Sequence, residues 1–498
     1  MTNNPAIQIG NNKVYSGHNL DVLKHLPNNS IDSIVTDPPY ELGFMSKTWD
    51  KSGIAYSVEL WQECLRVLKP GGHLLAFGGT RTWHRLAVAI EDAGFEIRDS
   101  IAWLYGSGFP KSHNISKAID KLGGNEGITI RNEIAELIMA SGLSDEQIAL
   151  VAEVSPALVR FWRKRERNIL VTEANKIKKL LGNLVPQQFV GETIGHSTNG
   201  IAGGSGKHAG QENAYGFKAT YYITSPATEQ AKKWDGWGTA LKPAHEPIVV
   251  ARKPVVGTVA ENVLQFGVGA LNIDASRIGT EVISVHNAPV GSFAGGEQDR
   301  GSDTESYREH IGRWPANIIL DETTAELLDE QSGNVRLTEG GQNIGKFNFA
   351  PAENTNGNKR IQGKVTLGGA SRFFYVAKAS KRDRNEGLDE LPDQILTGRD
   401  EGQDERQVPY KTRSNPVKNI HPTVKPTLLM QYLIRLVTPD NGVVLDPFTG
   451  SGSTGKAAIL EGYKFIGIEL TAEYLPIIAG RLQHAYDTYN NKTDDLFE

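Results

Sequence analysis

Two short loops, about 400 residues apart in the chain, carry the residue types and spacing that could do chemistry. The first is Asp37-Pro38-Pro39-Tyr40, directly after the apolar run Ser33-Ile34-Val35-Thr36. Open α/β sheets place ligands in such loops, at the carboxyl ends of parallel strands. An Asp37 oxygen and the Pro38 carbonyl can both accept hydrogen bonds from one exocyclic amino group, while Tyr40 stacks on its ring. Pro39 has no N–H to compete for them. Two acceptors on one amino group draw its nitrogen out of conjugation with the ring and free its lone pair as a nucleophile. The plainer alternative is a tight Pro-Pro turn capped by Asp37.

The second loop is Asp446-Pro447-Phe448-Thr449-Gly450-Ser451-Gly452, again between an apolar strand and a helix. Its glycines would let a ligand approach the backbone closely. Glu469 ends the strand KFIGIEL further on, where an acidic side chain suits a ribose diol. A rival reading starts from Gly450 to Lys456, which nearly matches a phosphate-cradling P-loop. Residue 457 is Ala, however, so the hydroxyl that would hold Mg²⁺ is missing. A nucleoside cofactor without a phosphate chain is therefore expected, with nucleotide hydrolysis as the weaker alternative. The histidines form no HxxxH-type pair beside Cys or carboxylates, so no metal is expected.

Both loops need a sheet to hold them. Residues 1–122 alternate short apolar runs (13–19, 31–40, 73–79, 96–106) with amphipathic helical ones such as SVELWQECLRVL at 57–68. From 419 the same texture returns. Strands separated by helices predict a parallel, helix-covered sheet, with residues 1–122 and 419–498 as its two halves. The intervening 183–418 reads as a recognition region with irregular loops, Gly-rich near 191–218, 287–304 and 336–370. Strand candidates PIVVARK (247–253) and RFFYVAKA (372–379) interrupt it.

Residues 129–182 differ again. Their spacing predicts a helix-turn-helix, with Ala149, Val154, Val159 and Trp162 locking two helices and Ser155 capping the second. Glu153 occupies the turn position where Gly is usual. Arg160, Arg163, Lys164 and Arg165, continued by Arg167, Lys176, Lys178 and Lys179, form a basic cluster suited to DNA phosphates and guanine edges. The alternative is a small helical bundle with a solvated basic face.

Composition bounds the rest. The 498 residues are 39% hydrophobic and 22% charged, enough apolar material for a core and against wholesale disorder. One cysteine, Cys64, excludes an intramolecular disulfide, and its place in a predicted helix argues against a covalent role. No run approaches a membrane span, and the first residues lack signal-peptide character, so a cytoplasmic protein is expected. The net charge of −5 does not point to nucleic acid, although local basic surface could still bind it.

DPPY, then His421-Pro422-Thr423-Val424-Lys425-Pro426, then DPFTGSG resembles the amino-group DNA methyltransferases in their β motif order, and the middle resembles phage and prophage members. The resemblance implies a Rossmann-like, circularly permuted methyltransferase fold and S-adenosylmethionine as cofactor. It places Asp446, Phe448, Gly450 and Gly452 around that cofactor, Glu469 on its ribose, and Thr423 and Lys425 near its methionine end. It makes Asp37, Pro38, Pro39 and Tyr40 the catalytic loop. Asp as the first residue resembles adenine-N6 enzymes, with cytosine-N4 as the alternative. An RNA methyltransferase and a non-catalytic DNA-binding regulator are more distant rivals. Gly17-His18 stands where members often carry Gly-Asp, which leaves Asn19 or Asp21 for the adenine contact. Double-stranded DNA is the implied partner. A homodimer and a cognate restriction endonuclease are admitted without being required.

Overall fold

The computed structural model describes residues 4–42, 50, 52–108, 112–122, 124–166, 169, 171–181, 193–197, 221–286, 307–333, 335–338, 365–377, 381–394 and 418–494. Most of the three Gly-rich stretches lies outside the described residues. The chain divides into two compact units, Met1–Ser107 with Ala244–Glu498, and Gly108–Pro243.

The first unit is built on one ten-stranded sheet. Its strands are β1 (Ile7–Ile9), β2 (Asn12–Ser16), β3 (Ile31–Thr36), β4 (Leu68–Phe77), β5 (Glu96–Leu104), β6 (His245–Arg252), β7 (Ile318–Asp321), β8 (Tyr375–Ala377), β9 (Val443–Asp446) and β10 (Lys464–Glu469). The spatial order is β1-β2-β10-β9-β3-β4-β6-β5-β7-β8. From β2 to β4 all pairings are parallel, and β6 runs antiparallel between β4 and β5. The two ends of the chain thus meet at β3 and β9. From β3 the chain winds on to β4, and from β9 it winds the other way to β10. Such a reversal opens a crevice at the carboxyl ends of the two central strands.

Three strands, β6, β7 and β8, come from the 183–418 stretch read as recognition and loops. PIVVARK is the clearest of them. Its residues Pro247–Arg252 are all buried, as expected of a strand covered on both faces. Among the described residues of RFFYVAKA, Tyr375–Ala377 is strand, and Ala370–Phe373 before it forms a turn of 3₁₀-helix.

Alternating side chains feed two cores. Val35, Leu75, Phe77 and Val444 face α7 (Thr427–Val437), α8 (Ser453–Leu460) and α9 (Leu475–Asp494). Ile34, Leu74, Ala76 and Leu445 face α2 (Val58–Val67) and α3 (Trp83–Asp92). A short helix, α1 (Asn19–Leu23), follows β2 and packs Leu23 into the same core as α2. Cys64 on α2 is fully buried, and burial pushes its thiol up, so it is a packing residue.

In the second unit, α4 (Gly124–Ala140), α5 (Asp145–Ala152) and α6 (Pro156–Arg163) surround Ile138, Ile148, Ala149, Val159 and Trp162. Ser144 and Gln147 form a capping box on α5, and Ser155 caps α6 with Pro156 at its first turn. Glu153 closes α5 with a left-handed backbone, φ 55°. The turn therefore has the geometry that favours glycine, held here by a residue that resists it. Glu153 also pairs with Lys176, but both side chains are exposed and the pair contributes little. Replacing Glu153 with Gly is expected to stabilise this unit by about 1 kcal/mol, read as a rise in its melting temperature.

Candidate active site

The ends of β3 and β9 are tied together by side chains. Thr36, the last residue of β3, donates to Asp446 Oδ1 at 2.6 Å. Thr454 donates to Asp446 Oδ2 at 2.6 Å, and the Phe448 amide to Oδ1 at 3.0 Å. Burial pushes the Asp446 carboxyl up to about 6, against the pull of those three hydrogen bonds. Asp446 therefore shapes the loop from within.

Glu469 continues the arrangement. It accepts the Gly450 amide at 2.7 Å on one oxygen and the Thr471 amide at 2.7 Å on the other. Burial pushes its pKa up to about 7. The Thr471 side chain bonds the carboxylate as well, and the acceptor capacity left over could still take a ligand hydroxyl. Gly450 has φ 56°, and a Cβ on it would stand 2.9 Å from His421 Nε2. Gly452 has φ 78° and caps α8, where a Cβ would press on Leu482 at 3.1 Å. Its glycine serves helix packing. Phe448 is half-buried and tilted against Trp61. Asn19 lends its amide to the Pro447 carbonyl at 3.5 Å, bracing the same loop, while Asp21 is half-exposed and His18 exposed.

Below this loop lies the residue that made it look like a P-loop. Lys456 is 1% exposed, and its amine is 2.6 Å from Asp383 and 2.9 Å from Glu386. An amine held under the loop by two carboxylates cannot cradle phosphates, so the hydrolase alternative fails. Arg481, also buried, donates to the Ser451 carbonyl at 2.8 Å from the same cluster.

Across the crevice, Asp37 Oδ2 accepts from Lys425 Nζ at 2.7 Å. Lys425 Nζ also donates to the Tyr40 hydroxyl at 3.1 Å and lies 3.2 Å from Glu246 Oε2. Tyr40 donates its own hydroxyl hydrogen bond to Glu246 Oε2 at 2.7 Å. Its carbonyl accepts from Thr82 at 2.9 Å, which fixes the loop to the start of α3. Burial pulls the Lys425 amine down, but Asp37 and Glu246 outweigh it and its pKa ends above the ordinary value. Burial, then Asp37 and Glu246, raise Tyr40 well above a free phenol. Lysine stays a cation and tyrosine a neutral phenol. Asp37 Oδ1 is buried and has no hydrogen-bond partner among the described residues. A buried acceptor left open is costly unless a ligand fills it.

Lys425, expected with Thr423 near the methionine end of a cofactor, has its side chain in the Asp37 cluster, while Thr423 is exposed and its carbonyl accepts from His421. Glu246 was missed. Its only signal was an acidic residue just before the PIVVARK strand, and β6 had to be antiparallel for it to arrive here.

In the second unit the basic cluster is partly spent. Arg163 bonds Asp145 at 3.0 Å and the Leu143 carbonyl at 3.0 Å, so it serves the fold. Arg165 lies 3.3 Å from Glu136, and Arg160 reaches Asp145 only at 3.5 Å. Arg160 and Lys164 are exposed. Arg167 and the Lys178 side chain lie outside the described residues.

Among the described residues no group of three or more His, Cys, Asp or Glu could hold a metal. Nor is any helix among them long and apolar enough to cross a membrane.

Comparison with known proteins bears on the same two loops. The chain is 36% identical over 109 residues to the type II methyltransferase M.HpaI of Haemophilus parainfluenzae, covering 21% of this chain and 35% of that protein. It is 46% identical over 65 residues to the DNA adenine methyltransferase YhdJ of Escherichia coli (strain K12), covering 13% of this chain and 22% of that one. The chain thus spans about a fifth to a third of these relatives' own length. A solved structure of the cytosine-N4-specific PvuII DNA methyltransferase aligns with a TM-score of 0.38 and 13% identity, over 98% of this chain and 94% of that one. The N6/N4 DNA methylase family profile matches residues 31–134 and 207–480, and it holds both DPPY and DPFTGSG. With most of its length inside that profile, the chain belongs to the N6/N4 DNA methylase family.

Proposed function

We propose that the protein is an S-adenosylmethionine-dependent DNA methyltransferase that modifies the N6 amino group of adenine. The observation that carries this reading is the open Asp37 Oδ1, buried at the carboxyl end of β3 while Lys425 holds the other oxygen. A pre-aimed acceptor of that kind suits an exocyclic amine.

The residues fit the cofactor. Glu469 keeps acceptor capacity for a ribose diol, and Phe448 offers a ring face at the crevice beside Gly450. S-Adenosylmethionine supplies an electrophilic methyl group on a sulfonium centre. In the cluster around Lys425 two carboxylates, Asp37 and Glu246, face one ammonium, an excess of acidic groups that complements a cation before and after transfer.

The base must leave the duplex to reach this pocket. Tyr40 stacks on it, and Asp37 Oδ1 with the Pro38 carbonyl accepts its two N–H protons. The nitrogen lone pair is then directed at the methyl group, and positioning supplies much of the rate. Asp37 is the nearest base for the proton that the methylated nitrogen sheds. Asp as the first residue of the loop favours adenine over cytosine.

Incubation with methyl-labelled S-adenosylmethionine should label unmethylated duplex DNA and leave RNA unlabelled. Label confined to RNA, or none in either, would remove this reading. DNA affinity should also draw on the second unit. Changing Arg160 and Lys164 together to Ala is expected to weaken binding and flatten the salt dependence by roughly 2 in slope. An unchanged slope would leave the unit as a bundle with a solvated basic face.

A further inference from the structure

Glu246 lies outside both signature loops, yet it reaches the reacting end of the site. It sits at the second position of β6, opposite Trp103 of β5. Because β6 is antiparallel to its neighbours, its first residues lie where β3, β4 and β5 end. That reversal brings one carboxylate to the loop following β3. One Glu246 oxygen receives the Tyr40 hydroxyl at 2.7 Å and faces Lys425 Nζ at 3.2 Å.

Lys425 is thereby shared between two carboxylates. With Asp37 as its only carboxylate partner, the buried ammonium would be drawn more fully onto that side chain. Glu246 divides that demand, and it also holds the Tyr40 ring edge through the hydroxyl. Resting on the methyltransferase reading, we propose that Glu246 is a positioning residue: through Lys425 and Tyr40 it leaves Asp37 Oδ1 unpaired and aimed at the target amine.

The groups facing Lys425 are Asp37 and Tyr40 from the loop after β3, Glu246 from β6, Tyr105 just beyond β5 and the Phe77 ring of β4. Glu246 is among the charges that hold the lysine protonated. Removing it lowers the pH at which Lys425 deprotonates.

The test compares wild type, E246Q and E246D on unmethylated duplex DNA with labelled S-adenosylmethionine, across pH. E246Q should lose kcat on the order of 10²-fold, with KM for DNA and cofactor changed little. Its alkaline limb should move to lower pH. E246D keeps the charge and should restore the position of that limb. Unchanged kcat in E246Q overturns the proposal. So does a loss of kcat with the limb unmoved, or a limb that E246D does not restore. If E246Q fails to fold by thermal unfolding, E246D alone decides: a wild-type limb supports the proposal and a lowered one overturns it. A wild type that labels no DNA is a different result, and it removes the methyltransferase reading itself.

Discussion

Replacing Asp37 with Ala is expected to lower methyl transfer on the order of 10³-fold while cofactor affinity stays close to wild type. The reason is spatial separation within one crevice. Asp37 stands after β3 with Lys425, Tyr40 and Glu246, whereas the groups assigned to the cofactor, Phe448, Gly450 and Glu469, stand after β9 and at the end of β10. Glu246, 3.2 Å from Lys425 in the wild-type structure, is untouched by the substitution, so the ammonium is not left without a counter-charge. Asp37→Asn serves as the volume-matched control. Single-turnover rates together with equilibrium binding of S-adenosylmethionine would check both halves. A variant with full activity would sink the role given to the loop.

The largest expected effect on stability lies under the second loop. Asp383 accepts from Lys456 at 2.6 Å and from the Thr427 hydroxyl and amide, with Arg481 at 3.8 Å. Lys456 and Arg481 are both buried. Asp383→Ala leaves these cations short of their counter-charge, and breaking a buried ion pair costs roughly 3–5 kcal/mol. Because Arg481 also holds the Ser451 carbonyl, cofactor affinity should fall with stability. Burial raises the Asp383 carboxyl, but Lys456 and Thr427 outweigh it and the net shift is downward. A depressed carboxylate contributes stability above its unfolded pKa, about 3.9, and loses it as pH falls through the lower folded value. The gap in melting temperature between wild type and Asp383→Ala should therefore be wide at neutral pH and narrow below about pH 4. A gap unaffected by pH would show that the ion cluster is not its source.

What could be read from the chain follows from how local each signal is. Strands β3 and β9 announce themselves as short apolar runs, and Pro-Pro or Gly pairs mark the loops behind them. Asp37, Tyr40, Gly450 and Glu469 were therefore legible as candidates. The capping residue Ser155 was legible for the same reason. Strand direction is not local. Nothing in PIVVARK states that β6 is antiparallel, and without that fact Glu246 has no reason to reach Tyr40. Asp383 and Glu386 were hidden likewise, because their partners Lys456 and Arg481 are distant in sequence and look like surface charges. Arg163 shows the converse: its charge suggested DNA, while its place on α6 also brings it to Asp145 and the Leu143 carbonyl.

The central claim is that this crevice activates the exocyclic amine of adenine. Its most direct test is nucleoside mass spectrometry of unmethylated duplex DNA after incubation with the protein and isotopically labelled S-adenosylmethionine. The expected product is labelled N6-methyladenine. Labelled N4-methylcytosine would overturn the choice of base, and labelled 5-methylcytosine or unlabelled DNA would contradict the account of the site.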